Sequence, residues 1–62
     1  MKFVIQNTDQ PSKFLLCTPE HYWVRKAEAT RFDTVEEADA EISWVIQHVP
    51  YLRDGMQIVK SQ

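Results

Sequence analysis

The chain has 62 residues, 44% hydrophobic and 26% charged, with one glycine, one cysteine and a formal net charge of −2. A chain this short buries only about 60% of the surface its unfolded form exposes, so there is room for a single core and residues 1–62 are read as one domain. The lone Cys17 excludes an internal disulfide and a cysteine-based zinc cluster, the apolar content excludes disorder, and a charge so near zero excludes partner choice by bulk attraction to nucleic acid.

In chain order, residues 2–6 alternate Phe3 and Ile5 against Val4 and Gln6, the period-two pattern of a half-buried strand. Turn formers fill residues 7–12, and Pro11 cannot donate to a ladder there, so this run connects rather than extends. Residues 13–17 return as a second strand, read with Phe14 and Leu16 on the face shared with Phe3 and Ile5, and Leu15 and Cys17 on the other. Tyr22, Trp23 and Val24 are aromatic and β-branched, fit for a short strand or for covering a sheet edge, and residues 25–31 carry a single helical turn.

Residues 34–49 have the clearest local signature, a capping box. Thr34 is placed to accept from the amide of Glu37, whose side chain reaches back to the N-cap amide, and Glu36, Glu37 and Asp39 suit the positive end of the helix dipole. Val35, Ala38, Ile42, Val45, Ile46 and Val49 fall within a sector of about 100°, the width of a core-facing stripe. Pro50 ends the helix by pushing Val49 out of the helical region, residues 51–55 turn the chain, and residues 56–60 alternate as a last strand.

The expected fold class is therefore α+β: a small, three-stranded, mostly antiparallel sheet in the order ββ(β)αβ, with Tyr22 to Val24 as an optional fourth strand and one amphipathic helix on one face. Its core is assigned to Phe3, Ile5, Phe14, Leu16, Trp23, Phe32, Val35, Ala38, Ile42, Val45, Ile46, Val49 and Ile58. One helix covers one sheet face, which leaves Val4, Leu15, Cys17 and Val59 to line the other and points to sheet-to-sheet pairing in a homodimer.

Taken together, Trp23-Val24, then Ala29, Phe32, Thr34, Glu36, Glu37 and Ala38, and finally Ile58-Val59 form a "WV…AxxFxTxEEA…IV" pattern. In this the chain resembles small ββαβ proteins encoded by bacteriophages and other mobile elements. The resemblance spans nearly the whole chain and implies that fold, together with an accessory role in which a host or phage protein is bound and in some cases inhibited. The glycine-free turn at residues 7–12 departs from the pattern, and Trp44 stands outside it.

Trp44 lies about 200° around the helix from Ile42, on the polar face with Glu37, Glu41 and His48. Tryptophan there is covered by the segment after Pro50, by a second copy of the chain, or by a foreign partner for which it is a hot spot. Trp44, Glu41, His48 and Glu37 are accordingly the expected partner-binding residues. An alternative patch, Tyr22, Trp23, Arg25, Lys26 and Arg31, interleaves aromatics with positive charge as single-stranded nucleic acid requires, but without the basic excess usual for such domains.

Catalysis is not expected. Cys17 and His21 stand four apart, yet a thiolate–imidazole pair also needs an orienting group and an oxyanion site, and Cys17 reads as a small buried hydrophobe. His21, His48 and Cys17 offer metal ligands at a spacing that matches no established site, so neither metal nor cofactor is expected. No apolar run is long enough to cross a bilayer, no basic-then-apolar leader pattern opens the chain, and the free thiol suits a reducing cytoplasm. The functional expectation is a non-enzymatic, cytoplasmic protein-binding accessory factor, with a single-stranded nucleic-acid module and a structural homodimer as alternatives.

Overall fold

The computed structural model describes residues 1–17, 20–49 and 55–61. The helix stop assigned to Pro50 and most of the turn before Gly55 lie outside these residues, as do Thr18 and Pro19. The fold is α+β: strands β1 (Phe3–Asn7), β2 (Phe14–Leu16), β3 (Tyr22–Val24) and β4 (Met56–Lys60), and one helix, α1 (Val35–His48), after a short 3-10 turn at Lys26–Glu28. The four strands form one antiparallel sheet in the order β3-β2-β1-β4, so the aromatic segment is a strand, on the edge beside β2. No helix among the described residues is long and apolar enough to cross a membrane.

Asn7 organises the glycine-free connection between β1 and β2. Its buried Oδ1 accepts from the amides of Asp9 at 2.8 Å and Gln10 at 3.0 Å, a side-chain mimic of a turn that satisfies the one polar group there that water cannot reach. The turn sets Gln6 opposite Phe14, and that register decides which way β2 faces.

Strand β2 faces the opposite way from the one its alternation suggests. Leu15, fully buried, packs with Ile5, Ala38, Val45 and Val49 beneath the helix, with Cys17, Trp23, Ile42 and Ile58 around them. Phe14 instead joins Val4 and Ala29 in a second cluster on the opposite face, flanked by Val24 and Val59. A seven-residue link between partners can present either parity, and a slip of one residue exchanges the faces of every side chain in the strand. The face assigned to sheet-to-sheet pairing thus lacks Leu15 and Cys17, and Ala29 packs onto it.

The helix stripe is also displaced. Ala38, Val45 and Val49 are buried and Ile42 partly so, whereas Val35 and Ile46, assigned to the core, are exposed at 45% and 48%. At 100° per residue the buried positions centre about 40° from Ile42, toward Glu41. This rotation carries the edge of the polar face against the sheet, so Glu41 is half-buried.

The capping box forms with one change. Thr34 Oγ1 accepts from the Glu37 amide at 3.1 Å, but the Glu37 carboxylate accepts from the amide of Asp33 at 3.2 Å rather than from that of Thr34. Lys2 pairs with Asp33 across this corner and holds its carboxyl below the usual carboxylate range. Phe32 and Phe3 exchange two backbone hydrogen bonds of 2.8 Å, which ties the entry of α1 to the start of β1.

Candidate functional site

The rotation of α1 and the parity of β2 meet at one place. Cys17 follows β2 on the helix-facing side, and its amide donates to Thr30 Oγ1 at 2.9 Å while the Thr30 amide donates to the Leu15 carbonyl at 3.1 Å, which clamps the strand end. His21 lies just before β3 and is buried against the helix, its Nε2 donating to Glu41 Oε2 at 2.8 Å. Because a carboxylate only accepts, Nε2 carries the hydrogen in this bond. Sulfur, imidazole nitrogen and carboxylate oxygen of Cys17, His21 and Glu41 lie within 4.8 Å of one another.

Burial pushes the Cys17 thiol up to about 12, with the Glu41 carboxylate adding to the rise because it would repel a thiolate and accepts the S–H hydrogen. The thiol is therefore protonated at neutral pH and a poor nucleophile. Cys17 packs against the core as the small hydrophobe read from the sequence, and its half-buried thiol also borders the His21–Glu41 pair.

Trp44 sits over this cluster. The His21 ring stacks with it at 5.3 Å between centroids and the His48 ring at 4.5 Å, with interplanar angles of 21° and 22°. Within α1, His48 Nδ1 donates to the Trp44 carbonyl at 3.0 Å, which orients the second imidazole. Two imidazoles that were not among the expected covers, His48 on the same helix and His21 just before β3, cover part of Trp44, and the indole remains 47% exposed; residues 50–54, of the segment expected to cover it, lie outside the described residues.

Of the expected partner-binding residues, Trp44, Glu41 and His48 are brought together, while the Glu37 side chain is taken up by the cap. His21 was not assigned to this face by sequence. Its separation from Glu41 and Trp44 by more than one element hides the contact from any local periodicity.

The alternative basic-aromatic patch is divided. Trp23 packs into the core beneath the helix, its buried indole N–H without a hydrogen-bond partner among the described residues, while neighbouring Tyr22 points to the other face and donates to Glu20 at 2.9 Å. Arg25 pairs with Glu28 at 3.2 Å, Lys26 lies over the Phe14 ring at 5.9 Å, and Arg31 is exposed. No protein-family model, curated protein or solved structure matches the chain.

Proposed function

We propose that the chain is a non-enzymatic protein-binding module, an accessory factor of the phage or mobile-element kind, which engages a host or phage protein through the outer face of α1 around Trp44. The observation that carries this reading is the half-exposed indole held between two imidazoles. An aromatic side chain already stacked on neighbouring rings gives up less conformational entropy on binding than a free one, and tryptophan is among the residues that dominate interface energies. The sequence resemblance to accessory proteins supports the same role.

The test compares capture from a lysate by the wild-type chain and by Trp44→Ala, with circular dichroism to establish that both are folded. A partner held by the wild type and bound more weakly by the variant by about 2 kcal/mol, roughly 30-fold, is the expected result. Equal capture by the two chains would refute the reading. With Trp23 packed in the core, titration of single-stranded DNA or RNA at low salt is expected to be flat.

A further inference from the structure

We propose that Cys17, His21 and Glu41 form a binding site for one zinc ion, a site that goes beyond the protein-binding role and does not depend on it. Three different donors, one sulfur, one nitrogen and one oxygen, converge within 4.8 Å from the end of β2, the link into β3 and the second turn of α1. In a tetrahedral zinc site with Zn–S of about 2.3 Å and Zn–N or Zn–O of about 2.0 Å, donors stand roughly 3.3–3.6 Å apart. The observed arrangement is close to that spacing, with all donors within 4.8 Å and His21 and Glu41 at 2.8 Å, so modest side-chain rotations close it around an ion.

The donor chemistry selects the metal. Calcium and magnesium take all-oxygen shells, whereas the combination of thiolate, imidazole and carboxylate suits zinc, and three protein ligands leave a fourth position for water. Charge balances as well, because a thiolate and a carboxylate together cancel the two positive charges of the ion in a half-buried place. On binding, the Cys17 S–H bond breaks and its proton leaves to solvent, a Zn–S bond forms, and the His21 ring proton shifts from Nε2 to Nδ1 as Nε2 becomes a ligand. The Glu41 carboxylate, which faces the protonated thiol in the metal-free chain, then faces the ion. Stacking against Trp44 orients the His21 ring, the task that an outer hydrogen bond performs in many metal sites.

Cobalt(II) is the probe, added to the full chain after chelator treatment and followed by absorption, with zinc then added in competition. One cobalt ion per chain is expected, with tetrahedral visible bands and a thiolate-to-cobalt charge-transfer band, all displaced by zinc. Cys17→Ser should abolish the charge-transfer band, and His21→Gln and Glu41→Gln should each weaken binding more than about 10-fold, since even outer-shell changes cost that much. Asp39→Asn, on an exposed position of the same helix outside the ligand set, should leave affinity unchanged. Circular dichroism establishes folding of each variant, and Cys17→Ala provides a second thiol-free chain. Absence of the charge-transfer band in the wild type, its persistence in Cys17→Ser or Cys17→Ala, or unaltered affinity in both folded His21→Gln and Glu41→Gln would overturn the proposal.

Discussion

The two ends of α1 are built in opposite ways. At its start every interaction is within four residues or at a corner of the sheet: Thr34 caps Glu37, Glu37 caps Asp33, and Lys2 meets Asp33. From its second turn onward the helix is completed from elsewhere in the chain, by His21 on Glu41 and Trp44 and by the Cys17 thiol, with His48 supplied locally. The first end is arranged for folding and leaves its outer residues, Val35 among them, in water. The second gathers thiol, imidazoles, carboxylate and indole on one surface, and that gathering depends on the parity of a three-residue strand.

The largest test of this contrast is therefore in β2. Leu15→Ala removes a fully buried side chain beneath α1 and is expected to cost about 3 kcal/mol in chemical denaturation, while Leu16→Ala, half-buried on the opposite face, should cost about 1 kcal/mol. A reversed order would invert the strand and turn Cys17 away from Glu41. Next, Thr34→Ala should lower stability by about 1 kcal/mol through loss of the cap, with the indole N–H resonance of Trp44 in a nitrogen–proton correlation spectrum unmoved. Movement of that resonance would mean that the two ends are coupled.

A pH-dependent effect is expected in alkali. The folded-state thiol of Cys17 titrates near 12 against 9.0 for an unperturbed one. Its contribution to stability is fully present below about pH 9 and is lost as pH rises toward 12, because only the unfolded chain ionises in that window. Denaturation midpoints of the wild type should therefore fall more steeply than those of Cys17→Ala between pH 9 and 11. Parallel curves would place the thiol in water.

The same contrast explains how much could be read in advance. The capping box, the strand alternation and the order of elements are local patterns, and the helix start at Thr34 follows directly from them. The grouping of Trp44, Glu41 and His48 on one helix face was also legible, because residues three, four and seven apart share a face. The facing of β2 was not, since it is set by the register through which Asn7 directs the turn. The rotation that exposes Ile46 and draws in Glu41 follows from what the helix packs against, and a hydrophobic stripe alone locates its centre only to within a side chain or so. His21 joins the site through both of those long-range choices.

The central claim is that His21, just before β3, completes the outer face of α1. Nuclear Overhauser effects between imidazole and indole protons measure it directly. The account predicts cross-peaks from the Trp44 indole to the rings of both His21 and His48, with the His21 set lost in Glu41→Gln or weakened relative to the wild type. Cross-peaks to His48 alone in the wild-type chain would contradict it.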